Sequence, residues 1–434
     1  MSSKMTYAQL TRFMLPLVLT ALVQELSGQF LNGGMARMPH ATETLAAFGL
    51  AIGIAGLLSG ILTQARQLGL VLIEHDQAYR TVFRFVFGAG LSLSGVVALL
   101  AFTSLGPWLI GDLHEVSPAL TDVVLLAFTW FVPFPLIRGL TRVYIGTLLR
   151  IHRSDIPAYG TVAGIGLSIL TVFALLPVDF VRADPILLPV LATYAGALTE
   201  FAFVVWGHRR HVRFPAQGDK APLEMSYVLR FFWPLALIMA VQSGTRPLIN
   251  IFVARAADGT EALAVLTVVY ALGHIPYGWL NEVRNLPTAF RDADDLPKVR
   301  RFIFGCGLFS FTWMAALVWT PAADYILLTW IGIGPELVAH CSVPLIIFSG
   351  FPIVVSLRSY IHGIGLLQHR TKAMAPSAPS RVATVVLMLT LLSGFDLHGA
   401  TRATIALLSG HTVETLVVWW SIRRGRPNDA EPKD

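Results

Sequence analysis

The sequence predicts an all-α polytopic membrane protein whose twelve transmembrane helices form two pseudo-symmetric six-helix lobes. Three observations carry this expectation. Charge is scarce, apolar runs of spanning length recur along the whole chain, and the second half repeats residues of the first in register. Only 13% of the 434 residues are charged and 55% are hydrophobic, with a mean hydropathy of +0.65. A soluble domain carries about 25% charged residues to keep its surface wetted, so the main solvent of this chain is lipid.

A helix needs roughly 20 apolar residues to cross the hydrocarbon layer. Runs of that kind fall at 10–31, 45–73, 82–106, 119–148, 157–178, 185–206, 229–252, 262–285, 301–320, 337–362, 376–395 and 400–421. The first is too long for the apolar core of a cleaved signal and is expected to stay as a span. Alternate loops collect the basic residues, among them Lys4, Arg80, Arg84, Arg150, Arg153, Arg209, Arg210, Lys298, Arg300, Arg370, Lys372 and Arg423. The opposite loops hold little beyond Arg37, Arg182, Arg255 and Arg402. The excess of Lys and Arg on one side predicts a multi-pass protein of the cell (inner) membrane with both termini in the cytoplasm. The pI near 9.5 therefore reflects orientation, and membrane lipid rather than nucleic acid is the expected partner. Cys306 and Cys341 lie in or beside spans and imply no disulfide framework.

Residues 12–37 and 230–255 align without gaps at a shift of 218, and the register holds through position 68. Arg12, Pro16, Gln24, Asn32, Arg37, Glu43, Gly60 and Arg66 return as Arg230, Pro234, Gln242, Asn250, Arg255, Glu261, Gly278 and Arg284. Shared greasiness cannot explain matches that are polar, Gly or Pro. Weaker echoes join Phe134-Pro135 to Phe351-Pro352, and Glu200 with Trp206 to Glu414 with Trp420. Six spans per half give lobes of the same orientation, expected at 1–207 and 226–434, joined by a polar cytoplasmic linker at 208–225.

Ionisable groups inside spans are costly and usually face a bundle interior or a cavity. Arg66 and Arg284 are repeat partners, Arg138 and Arg142 lie one turn apart on the fourth span, Arg358 holds a similar place on the tenth, and Arg246 sits mid-span beside Pro247. Guanidinium groups stay charged and grip carboxylate or phosphate bidentately, so Arg66, Arg142, Arg246, Arg284 and Arg358 are candidate ligands for a small anion. Asn32, Asn250, His274 and Tyr277 are candidates to shape the same pocket. The plainer alternative is that the arginines snorkel to an interface or pair with acids such as Glu282. Glu25, Glu200, Glu414 and Glu282 are the acids that could couple transport to a proton or sodium ion. Pro16, Pro234, Pro247, Pro276 and Pro352 are expected to bend their helices. With no Walker A, GxSxG, HExxH or CxxC pattern, neither enzymatic activity nor a cofactor is expected.

Specific stretches add a resemblance. RPLINIFVAR, EALAVLT and GHIPYGWLNEVR between Arg246 and Arg284, PLIIFSGFP at 344–352, APSAPSRV at 375–382, FGLAIG at 48–53 and HGAT at 398–401 resemble the progressive ankylosis protein family. That family looks like a branch of the multidrug, oligosaccharidyl-lipid and polysaccharide exporter superfamily. The resemblance implies a two-lobed exporter, and its animal members are associated with export of pyrophosphate, nucleotide triphosphate and citrate. Compact loops and a short tail make a bacterial relative the expectation here. The leading expectation is an alternating-access exporter of a small multivalent anion of the citrate, pyrophosphate or nucleotide (ATP) class. The rivals are a lipid-linked flippase of the same architecture and a non-transporting membrane regulator.

Overall fold

A computed structural model describes residues 5–112, 117–217, 221–254, 258–291, 295–331 and 334–424. Every expected span is helical among these residues. Ten helices have the length and hydropathy of a span on their own, and an eleventh is a pair, Pro118–Phe131 and Phe134–Arg150, bent by 42°. The first span, Tyr7–Met35, is a continuous helix of 29 residues, which at about 1.5 Å per residue exceeds the thickness of the hydrocarbon layer. Leu91, Leu170, Leu308 and Phe309 are each more than half exposed on their helices. Apolar surface of that extent needs lipid to cover it.

By packing, the chain forms two compact units. One is Leu15–Phe232; the other is Met1–Met14 together with Trp233–Asp434. In the second unit the start of the first span is held by Phe13, which meets Phe290 edge-on at 5.4 Å, and by Tyr7, whose ring stacks on Phe302 at 6.4 Å.

The repeat reaches further than sequence identity does. The second span contains a 3₁₀ turn at Leu62–Gln64, and the eighth changes to 3₁₀ geometry over Gly278–Asn285. π-helical turns stand at Trp108–Asp112 and at Ile326–Ile331, after the third and ninth spans. The helices Phe134–Arg150 and Phe351–Leu367 both have 17 residues. Each ends on a histidine in the left-handed region, His152 at φ 60° and His369 at φ 55°.

The hydrogen bonds at these two ends also correspond. His152 N–H donates to Leu149 O at 3.0 Å and Arg153 N–H to Leu148 O at 2.9 Å; His369 N–H donates to Leu366 O at 3.0 Å and Arg370 N–H to Gly365 O at 2.8 Å. This is the double-bonded helix stop that normally recruits glycine, built twice around histidine.

One expectation about proline changes. Pro352 does not bend a helix interior. It sits in the first turn of Phe351–Leu367, as Pro135 does in Phe134–Arg150, where a missing N–H costs nothing. The bend of the fourth span falls instead at Val132-Pro133. There Phe131 and Phe134 pack at 5.5 Å, and the equivalent rings Phe348 and Phe351 stack at 4.6 Å. Pro276 does lie inside a helix. Its carbonyl accepts hydrogen bonds from Trp279 Nε1 at 2.8 Å and from Ser310 Oγ, and the helix changes to 3₁₀ two residues later.

Candidate functional site

Each unit buries one glutamate on its last span and surrounds it with arginines. In the first unit, Glu200 on Leu187–His211 is 5% exposed. Arg138 Nη1 donates to its Oε2 at 3.2 Å, Arg142 Nη1 stands 3.9 Å from its Oε1, and Thr161 Oγ1 donates to Oε1 at 3.1 Å. Arg138 and Arg142 project from the same face of Phe134–Arg150 because they are four residues apart. The Arg138 guanidinium also lies 5.7 Å from the centre of the Phe134 ring, a cation–π distance.

These groups border a cavity of about 370 Å³. Gln24 from the first span, Ser168 from the fifth and Thr193 from the sixth add polar lining, and Val172 and Ala197 supply part of its apolar wall.

In the second unit, Glu414 on Gly399–Arg424 has no exposed surface. Arg358 Nη1 stands 3.4 Å and Arg381 Nη1 3.5 Å from its Oε2, and Gln242 Nε2 donates to its Oε1 at 2.9 Å. His362 Nε2 is 3.9 Å from Oε1. Arg358 also donates through Nη2 to Asn281 Oδ1 in the 3₁₀ segment. The repeated glutamine thus recurs beside the repeated glutamate: Gln24 shares a cavity with Glu200, and Gln242 binds Glu414 directly. The arginines have shifted, however. The first unit takes two from its fourth span, whereas the second takes one from its tenth and one from its eleventh.

A buried carboxylate is stable only when paired. Among the described residues, two guanidiniums gather on the buried carboxylate of each unit. Guanidiniums gathered in this way have the geometry to grip a carboxylate or phosphate.

The sequence candidates divide as follows. Arg142 faces Glu200, and Arg358 faces Glu414. Arg66 is half-buried just past the 3₁₀ turn of the second span, and Arg284 is half-buried within that of the eighth. Each backbone carbonyl is approached by a glycine on the packed helix, Gly146 at Arg66 and Gly363 at Arg284. Glu282 accepts from Asn285 Nδ2 at 2.9 Å. Tyr277 is buried against Phe351 at 5.3 Å, and His274 meets Tyr277 edge-on at 5.2 Å. Asn32 and Asn250 are exposed on their units. The side chains of Glu25 and Arg246 lie outside the described residues.

Arg381, Thr161 and Asn281 belong to the two clusters although the sequence did not mark them. The available signal for Arg381 was a lone cation four residues after Ser377, heading an apolar run.

Comparison with known proteins places this geometry. Residues 1–320 match the family model described as progressive ankylosis protein (ANKH). A transporter of the MOP superfamily from Pyrococcus furiosus, whose structure is described as having a binding pocket of reverse polarity suggesting a different function, superposes with a TM-score of 0.72. It is 15% identical, over 96% of this chain and 95% of that one. A MATE transporter in its bent conformation gives 0.74 at 14% identity over 96% and 94%. The MATE transporter ClbM in complex with Rb+ gives 0.71 at 13% over 98% and 96%. These likenesses establish the fold, twelve helices in two lobes, and its holders are transporters rather than enzymes. The chain belongs to the progressive ankylosis protein family and has the fold of the MOP-superfamily and MATE transporters on which it superposes.

Proposed function

We propose that the protein exports a small multivalent anion of the citrate, pyrophosphate or nucleotide class, by alternating access between lobes 1–207 and 226–434 joined by the linker 208–225. The observation that carries this reading is a pair of guanidiniums gathered on one buried glutamate, found once in each unit. A substrate carboxylate or phosphate takes the place of the glutamate on one arginine. Glu200 and Glu414 then act as stand-in ligands between substrate cycles. Their release on substrate binding is the step at which a proton or a sodium ion would enter. The remaining sequence candidates, Asn32 and Arg66 in one unit and Arg246, Asn250, His274, Tyr277 and Arg284 in the other, are the further positions at which this reading expects substitutions to alter uptake. The setting in this proposal is the inner membrane with both termini cytoplasmic, as the loop charges suggest.

Reconstitution tests this. Proteoliposomes should accumulate at least one of labelled citrate, pyrophosphate and ATP. A charge-assisted hydrogen bond contributes about 1.5–3 kcal/mol, so Arg142→Gln and Arg358→Gln should each weaken uptake about ten- to a hundredfold. Absence of flux for all three anions would reject the substrate class. Movement of a lipid-linked label instead would favour the flippase.

A further inference from the structure

A second group of ligating side chains lies in the second unit, far along the helices from Glu414. Glu261 is in the first turn of Gly259–Tyr277, His340 is in the second turn of Pro335–Phe348, and His398 immediately precedes Gly399–Arg424. These are the starts of the eighth, tenth and twelfth spans, which pack on one another. One ligand atom from each of the three residues falls within 4.8 Å of the other two. His340 Nε2 stands 3.2 Å and His398 Nε2 4.0 Å from the same oxygen, Glu261 Oε1. The two imidazoles stack at 4.6 Å with planes 16° apart. His398 Nε2 is shielded from solvent and has no hydrogen-bond partner. Glu261 and His340 remain about half exposed, at 47% and 45%, which leaves an entry path.

We propose that Glu261, His340 and His398 form a site for a zinc-class divalent transition metal that clasps the starts of the eighth, tenth and twelfth spans. In a tetrahedral site with bonds of about 2.0–2.2 Å, ligand atoms stand about 3.3 Å apart. The 3.2 Å separation already meets this, and the 4.0 Å separation closes with a small turn of the His398 ring. Two imidazoles and one carboxylate select zinc, nickel or copper over calcium and magnesium, which prefer an all-oxygen shell. Water takes the fourth position, because Asp258 is engaged elsewhere: its Oδ2 accepts from Gly399 N–H at 2.6 Å and its Oδ1 faces Arg402 Nη2 at 3.5 Å. Asp258 Oδ2 also lies 3.6 Å from His398 Nε2. There its charge screens that of Arg402 from the metal. Loading at Nε2 leaves the imidazole proton on Nδ1, so the 3.3 Å contact that Nδ1 accepts from Ala400 N–H gives way as the ring turns. The site requires neither the anion-export reading nor a particular membrane orientation.

The test uses the full chain in detergent, stripped with a chelator and free of any histidine tag. After incubation with excess Zn2+ and desalting, elemental analysis should find about one zinc per chain, and Zn2+ but not Mg2+ should raise the melting temperature. The double variant His340→Ala/His398→Ala should lose both the bound zinc and the shift. The single variant His340→Gln, at a half-exposed position, serves if the double variant does not fold. Wild-type protein that retains no zinc, or a variant that retains as much as wild type, overturns the proposal.

Discussion

Glu414 is the most demanding residue in the molecule, because a carboxylate with no exposed surface must be held by groups equally deep. Arg358 and Arg381 are 12% and 9% exposed, so each depends on Glu414 as much as it depends on them. Removing one partner of a buried ion pair costs about 3–5 kcal/mol, because the remaining charge stays buried without compensation. Glu414→Gln strands two guanidiniums at once and should therefore lower the thermal midpoint of the purified protein more than Arg381→Gln, which leaves the Arg358–Glu414 pair intact. Equal midpoints for the two variants would mean that the cluster is not a coupled unit. Much of this constellation is legible in the sequence. Glu200 and Glu414 are acids inside apolar runs, aligned through their tryptophans, and Gln24 and Gln242 are repeat partners. Arg381 is not legible, because a single arginine four residues into a helix is equally suited to snorkel toward an interface. Only the packing of Ser377–Leu392 on Gly399–Arg424 turns it onto Glu414.

Among the elements, the fourth and tenth spans do the positioning. Phe134–Arg150 carries Arg138 and Arg142, Phe351–Leu367 carries Arg358, and both lie against the irregular parts of the second and eighth spans. The contact is close because glycine permits it. A Cβ at Gly146 would stand 2.2 Å from Arg66 O, and one at Gly363 would stand 2.7 Å from Arg284 O. Backbone cannot give way as a side-chain tip can, so Gly146→Ala and Gly363→Ala should each destabilise by about 1–3 kcal/mol. They should also impair any activity that depends on the arginines of the same helix. Gly166→Ala is the control, since nothing lies within 4 Å of its Cβ position and alanine favours a helix. Melting temperatures for Gly146→Ala and Gly363→Ala that are no lower than that of Gly166→Ala would show that the close approach does not decide. The existence and order of the spans are legible from apolar run length. The break at Val132-Pro133, the 3₁₀ segments and the histidine-capped ends are not, because hydropathy averages over the very turns at which backbone hydrogen bonding changes.

At the scale of the whole molecule, the duplication and the loop charges make a joint statement about orientation. An internal repeat of six spans returns the chain to the side from which it started, so both halves must obey one charge rule. The two last loops of the second half carry that contrast compactly. Gln368 lies in a turn with Arg370 and Lys372 nearby, whereas the next loop, at 393–398, contains Asp396 and no Lys or Arg. Both Gln368 and Asp396 are exposed, so a cysteine at either is reachable without disturbing the packing. With Cys306 and Cys341 changed to serine, Asp396→Cys should react with a membrane-impermeant maleimide on intact cells. Gln368→Cys should react only after the membrane is opened. The reverse pattern would turn the protein over and assign the termini to the outside. Labelling of both cysteines on intact cells would break the topology itself, because Thr371–Leu392, the helix between them, would then not cross the membrane. The first outcome ties the basic loops to the cytoplasmic side, and it sets the Glu261, His340 and His398 cluster, which shares its end of the second unit with Asp396, toward the exterior.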